Sequence, residues 1–257
     1  MKLRTVAVDR YVTPLREGGS LPAVVEADDS GLYVLKFRGA GQGPRALVAE
    51  LVGGEIARAL GLPVPEIVFA DLDPDLARTE PDPEIQSLIR ASAGLNLALD
   101  FLPGSLVFDP AASQVDADLA SRIVWFDAFV SNVDRTAKNT NLLMWHRKLW
   151  LIDHGAALYF HHAWDGGADA ADSPFALIRH HVLLPAATQI DRIDAELAAR
   201  LDRATFEAIL ALAPDAWLAN GDATIDAAAR RNAYVDYFVA RLARRERFVA
   251  EAVRARA

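Results

Sequence analysis

The densest set of reactive polar side chains lies in one short stretch, Asn132-Val-Asp134-Arg-Thr-Ala-Lys-Asn139, set between apolar runs. A second acid closes the next apolar segment, Leu151-Ile152-Asp153-His154-Gly155. Asp134, an amide five residues later at Asn139, and Asp153 fourteen residues beyond that follow the order of a phosphoryl-transfer loop. That chemistry needs three side chains. One carboxylate, Asp134, faces a nucleophilic hydroxyl and accepts its proton. The amide oxygen of Asn139 and the carboxylate of Asp153 hold Mg²⁺ against the phosphates of ATP, because Mg²⁺ takes oxygen ligands in octahedral geometry. Gly155 is expected to let the backbone turn sharply away from the metal. Taken singly, each of these residues reads as a cap or a turn. Order and spacing together carry the chemical reading.

Transfer from ATP also needs a cation on a rigid element, and an acid to orient it. Lys36 lies inside the apolar run Tyr33-Val-Leu-Lys-Phe37, whose neighbours favour a placed cation over an edge-strand solubility device. Glu50, flanked by Ala49 and Leu51 on the next helix, can reach back to it. Glu55 is the competitor, but it lies about 140° around the helix at ~100° per residue, so the two cannot both face the sheet and Glu50 is preferred. Gly18-Gly19-Ser20 and Gly39 to Gly43 are glycine-rich turns able to cradle phosphates with backbone N–H groups. His154, His161, His162, His180 and His181 do not have the spacing of a helical zinc signature. Trp125, Phe126, Trp145 and Trp150 flank the polar stretch and read as packing residues.

The elements that must position these groups follow from periodicity. Thr5 to Val8, Tyr11 to Thr13, Pro22 to Ala27 and Leu32 to Phe37 read as strands, with a hairpin turn at Asp28 to Gly31. Pro44 opens a helix that runs to about Leu60, with Gly61 as its C-cap. Glu66 to Asp71 and Asn96 to Phe101 read as extended, and Asp73 to Pro83 as a polar loop. Leu119 to Val130 is expected to be a helix, and Asn141 to Trp145 and Leu149 to Ile152 a strand pair. From about Pro185 the pattern is helical. The order gives an α+β chain of two lobes: a β-rich N-terminal part with one long helix, then a mainly helical part.

Composition bounds the rest. The chain has 257 residues, enough for one large domain with its own core. Lys+Arg number 27 against 35 Asp+Glu, a net charge of −8, which argues against direct nucleic-acid binding. With Cys at 0, thiolate metal sites, cysteine nucleophiles and disulfides are excluded. Asp9 and Arg10 interrupt any N-terminal apolar segment, and no stretch approaches the roughly 18 apolar residues of a membrane span. A cytoplasmic protein without a membrane partner is expected.

These segments together resemble the HipA-like kinases, in the shorter, single-domain branch of that family, which share the protein-kinase and phosphoinositide-kinase architecture. The resemblance rests on GGSLPAVVEA, YVLKF, AELVGGEIARALGLPVPE, GLNLALDFLPGS, NVDRTAKN and LIDHGAAL, and covers about residues 15 to 162. It implies one bilobal kinase domain over 1–257, with an N-lobe about 1–96, a hinge about 97–103 and a C-lobe about 104–257. It implies ATP and Mg²⁺ as cofactors. Asp134 is then the catalytic base, Asn139 and Asp153 the magnesium ligands, Lys36 the phosphate-binding lysine and Glu50 its acidic partner. Asp100, Phe101 and Leu102 form the adenine-contacting hinge, and Gly18, Gly19 and Ser20 the phosphate-covering loop, with Ser20 a candidate for autophosphorylation. His154 departs from the aromatic usual after the metal acid, and the extra N-terminal subdomain of the full-length toxins has no match here. A serine/threonine protein kinase is the leading expectation. A small-molecule or lipid kinase, or a nucleotide-binding pseudokinase or interaction module, are the alternatives.

Overall fold

The computed structural model describes residues 2–15, 21–41, 43–78, 80–163, 168–220 and 226–257, apart from the side chains of 162, 163, 168 and 169. The first part is a closed five-stranded barrel in the order β1-β2-β3-β5-β4. Its strands are β1 (Thr5–Pro14), β2 (Ala23–Ala27), β3 (Leu32–Lys36), β4 (Ile67–Leu72) and β5 (Gly94–Asp100). All pairings are antiparallel except β1 with β4, which is parallel and closes the barrel. The two short runs expected at the N-terminus are one strand. Its register against β2 slips between Val8 and Arg10 and again between Tyr11 and Thr13, and such bulges break the strict alternation that the sequence pattern relies on.

The long helix α1 (Pro44–Ala59) starts on Pro44 as expected, ends on Leu60, and is followed by Gly61 in the left-handed region. Its residues from Leu47 to Ala57 are buried all round. The stretch expected as a polar loop holds a 3₁₀ turn, Pro74–Arg78, and leads into α2 (Pro83–Ala91), which the sequence reading left unassigned. Asp82 caps α2 by accepting from the Glu84 N–H at 2.9 Å. Ile85 and Ile89 turn its apolar face into the barrel cluster with Val6, Val25, Leu35 and Val68.

A small second sheet, β6-β7-β8, comprises β6 (Leu106–Val107), β7 (Leu142–Trp145) and β8 (Lys148–Leu151). His146 and Arg147, both left-handed, form the two-residue turn of its hairpin. Between β6 and β7 lies α3 (Ala117–Val130), capped by Asp116 and ended by the left-handed Ser131. The rest is helical: α4 (Ala168–Ala171), α5 (Ile190–Ala198), α6 (Arg203–Leu210), α7 (Asp215–Ala219), α8 (Ala227–Ala243) and α9 (Glu246–Arg256), with 3₁₀ turns at Tyr159–Ala163, Ala176–His180 and Leu184–Ala186.

Two apolar clusters result, and α1 belongs to the larger one. Leu47, Leu51, Val52 and Ile56 join Ile123, Phe126 and Phe129 of α3 and the C-terminal helices, while the barrel interior with α2 is separate. The helix carrying Glu50 therefore shares one apolar cluster with α3, which leads into the Asp134 loop. Among the described residues no helix is long and apolar enough to cross a membrane.

Candidate active site

Lys36 is the last residue of β3, and its Nζ lies 2.8 Å from Asp153 Oδ1 and 3.5 Å from Glu50 Oε2. The Lys36 side chain is 11% exposed and that of Glu50 2%, whereas Asp153 is 38% exposed. Burial alone lowers a lysine; the charges of Glu50 and Asp153 overcome it and hold Lys36 above its ordinary value. Burial likewise raises Glu50, and Lys36 and His154 reverse this and hold it low. Each is thus held in its charged form against burial by the charges around it. Glu55, the rejected alternative, turns the other way and pairs with Arg58 at 3.2 Å.

His154 is fully buried, its ring edge-on to Phe126 at 5.7 Å, with Nδ1 3.4 Å from Glu50 Oε1. It lies against α1 where Gly53 has no side chain; a Cβ there would come within 3.0 Å of the His154 Cβ. Gly155 works differently from the expectation. The sharp backbone turn belongs to Asp153 itself, at φ 54°, and a Cβ at Gly155 would only make ordinary contacts, 3.5 Å from Asp153 Oδ1 and 3.7 Å from Glu50 Oε2.

Asp134 follows α3 in an Asx turn, its N–H donating to Asn132 Oδ1 at 3.1 Å. Its Oδ2 accepts from Asn139 Nδ2 at 2.8 Å and Asn141 Nδ2 at 3.2 Å, so one carboxylate oxygen is occupied and Oδ1 has no protein donor among the described residues. Asn141 also donates to the Asp134 carbonyl at 2.9 Å and accepts from the Ile152 N–H at 3.1 Å. It therefore ties the Asp134 loop to the residue before Asp153. Arg135 reinforces that tie, donating Nη1 to the carbonyls of Asn141 and Ile152.

Beneath the loop lies a buried hub centred on Asp127 of α3. Its carboxylate accepts from Asn132 Nδ2 at 2.8 Å, Arg135 Nε at 2.6 Å and His181 Nε2 at 2.8 Å. His181 Nδ1 accepts the Leu183 N–H at 3.0 Å, which fixes the imidazole as the neutral tautomer with its proton toward Asp127. Burial raises Asp127, but Arg135 and His181 outweigh it and hold this acid well below its ordinary value; burial also pushes His181 down, against the pull of Asp127. Neither Asn141, Asp127 nor His181 was assigned a role by sequence reasoning. The readable signal was Asp127, a lone acid inside the apolar run Ile-Val-Trp-Phe-Asp-Ala-Phe-Val.

The expected adenine-contacting residues end β5. The N–H groups of Asp100 and Phe101 are already bonded to the carbonyls of Glu66 at 2.8 Å and Leu32 at 2.9 Å. Of the three donors, only that of Leu102 has no backbone partner among the described residues. Burial, aided by Glu66, raises the Asp100 carboxyl. Gly18, Gly19 and Ser20 lie outside the described residues. In the other glycine-rich turn, Gly39 donates its N–H to Ser92 Oγ at 3.0 Å and packs on the end of α2. Among the described residues no group of three or more His or acidic side chains could hold a metal ion.

The chain is similar over 98% of both lengths to a proinflammatory kinase, CtkA, of Helicobacter pylori, with a TM-score of 0.54 at 13% identity. It is similar to a Golgi casein kinase solved with Mn/ADP bound, with a TM-score of 0.53 at 10% identity, over 98% of this chain and 73% of that one. At such identities these likenesses speak for the fold. No curated protein matches the sequence. The family model described as HipA-like kinase matches residues 8–250. That span takes in the barrel, α1, the Asp134 loop and most of the helical part, and the chain accordingly belongs to the HipA-like kinase family, as a kinase-type phosphotransferase.

Proposed function

We propose that the chain moves the γ-phosphoryl group of Mg-ATP to the hydroxyl of a serine or threonine in a protein. The supporting observation is the convergence of two charged groupings. The Lys36–Glu50–Asp153 triad and the Asp134–Asn139 pair come from distant parts of the sequence and are joined through Asn141 and Ile152. In this reading the protein has two lobes, about 1–96 and 104–257, and ATP lies between them along a hinge at 97–103, with Leu102 offering its free N–H to the adenine.

The donor chemistry fits a magnesium ion. Asp153 is a partly exposed carboxylate, and Asn139 spends its Nδ2 on Asp134, which leaves its amide oxygen free of protein donors among the described residues. Asn139 and Asp153 would hold the ion, which supplies neutralisation of phosphate charge. Lys36, held cationic between two acids, exchanges its bond to Asp153 for the phosphates while Glu50 keeps it in place. Asp134 Oδ1 takes the proton of the acceptor hydroxyl, with Asn139 and Asn141 fixing Oδ2. A cytoplasmic location fits the use of ATP.

Asp134→Asn tests the reading. Transfer from labelled ATP is expected to fall by about 100- to 10,000-fold, the range of a lost general base. Stabilisation of the fold by Mg-ATP in a thermal melt is expected to persist, because the substitution is isosteric and the nucleotide still binds the native state. Equal loss of transfer and nucleotide binding would assign Asp134 a structural role instead.

A further inference from the structure

We propose that the acceptor is a protein segment with acidic side chains beside its hydroxyl, and that Arg179 and Lys138 read those acids. The inference rests on the function proposed above and specifies its substrate. The starting point is an isolated antiparallel bridge between Thr136 of the Asp134 loop and His181. Lys138 and Arg179 each lie two residues from this bridge and are exposed, so it holds both cations close to the Asp134 loop. Lys138 also directly precedes Asn139, whose side chain touches Asp134.

The position of Arg179 is built. It lies on the 3₁₀ turn Ala176–His180, which is anchored by buried Phe175 and Ile178 and, just after it, by His181 bonded to Asp127. Between those anchors Leu177, Arg179 and His180 are exposed, Leu177 at 45%. Arg179 donates its Nε to His180 Nε2 at 3.2 Å, which holds the guanidinium by one edge and leaves its two terminal nitrogens to fork onto a carboxylate.

Other arginines are tied to acids, as Arg122 is to Asp118 and Glu196, Arg231 to Asp215 and Arg245 to Asp194. Neither Lys138 nor Arg179 has a carboxylate partner among the described residues. On a chain of net charge −8 an acidic acceptor is repelled at long range, so it needs local cations to dock. Two cations on separate segments, with exposed Leu177 alongside, suit an extended chain of acidic and apolar side chains better than a compact anionic headgroup.

The experiment uses the full chain and three synthetic serine peptides that differ only in the flanking residues: glutamate, alanine or lysine. The glutamate peptide is expected to be phosphorylated with kcat/KM about tenfold or more above the alanine peptide, and the lysine peptide least. Raising ionic strength should shrink that preference. Arg179→Glu, and independently Lys138→Glu, should raise KM for the glutamate peptide and improve the lysine peptide, while KM for ATP and stabilisation by Mg-ATP stay unchanged. Arg179→Gln, which removes the charge without adding a new one, should give the intermediate result and guards against misfolding of the reversal. Equal rates on the three peptides, or a preference that survives both reversals, overturns the proposal. Transfer to free polyols or lipid headgroups but to no peptide also overturns it, and leaves the ATP chemistry intact. Absence of both nucleotide stabilisation and transfer would instead overturn the Mg-ATP reading beneath it.

Discussion

The site is supported by two buried carboxylates with the same kinds of partner and opposite geometry. Asp127 has Arg135 and His181 at 2.6 and 2.8 Å, and Asn132 as well. Glu50 has Lys36 and His154 at 3.5 and 3.4 Å, and no hydrogen bond within good geometry. A buried charge fully bonded by short contacts is locked, since removing any partner strands the others in a low-dielectric interior. A buried charge held only by longer ion pairs is stabilised by Coulomb attraction, which falls slowly with distance and tolerates movement. The tight group fixes the backbone that bears Asp134. The loose one surrounds Lys36, which the proposed reaction requires to exchange partners. Rigidity is placed under the loop, and adaptability around Lys36.

The largest expected effect comes from breaking the tight group. Asp127→Ala leaves Arg135 and His181 buried without their acid, and should cost about 3–5 kcal/mol of unfolding free energy in a urea titration. A loss under about 1 kcal/mol would erase the distinction drawn between the two carboxylates. Glu50→Gln, made in the loose group, should cost clearly less, because Lys36 keeps Asp153 at 2.8 Å. Phosphoryl transfer should fall about 10- to 100-fold, equivalent to about 1.4–2.7 kcal/mol of barrier. If its stability falls as far as that of Asp127→Ala, both groups are scaffolding.

The pH dependence of stability separates them further. His181 is held below its ordinary 6.5 by burial. As pH falls through 6.5 the unfolded chain binds a proton that the folded chain refuses, so stability declines from 6.5 down to the depressed folded value. Asp127 and Glu50 are held below their ordinary 3.8 and 4.5, and their contribution is present above those values and lost as pH falls further, through the lowered ones. Acid unfolding should therefore have two stages, the first belonging to the tight group. Urea titrations between pH 7.5 and 5 should show a decline of at most ~1.4 kcal/mol per pH unit from His181, and His181→Gln should flatten it. An unchanged slope in the variant would assign the early stage to another group. The smallest effect is expected at Glu55→Gln: Glu55 is buried, but its partner Arg58 is partly exposed and glutamine can still accept its hydrogen bond. Stability should move by less than about 1 kcal/mol and transfer not at all, whereas a loss of transfer would mean that Glu55 shares the role assigned to Glu50.

Strands were legible where alternation was clean, as in β3, and blurred where bulges shift the register, as in β1. The polar stretch before α2 reads as loop because Pro and Asp dominate it, although Pro83 and Asp82 are also the residues that start a helix. Within the site, Lys36, Glu50, Asp134, Asn139 and Asp153 could be picked out, since each stands in an apolar run or at a telling spacing. Asn141 could not: an amide two residues past another reads as a turn. His181 was equally opaque, because its partner Asp127 is 54 residues away and nothing local announces the bond.

The sequence by itself determined the local chemistry: the order and spacing of Asp134, Asn139 and Asp153, the lysine set in an apolar strand, the start of α1 on Pro44 and the exclusion of thiolate chemistry. Those follow from near neighbours and composition. Only the tertiary structure decided that the sheet closes into a barrel through a parallel β1–β4 pair, that α1 joins the helical core, and that a hub around Asp127 sets the loop. It also decided that a bridge from Thr136 to His181 sets the 3₁₀ turn bearing Arg179 against the Asp134 loop. These depend on contacts between residues far apart in the chain, whose energies come from burial and pairing that no local pattern encodes.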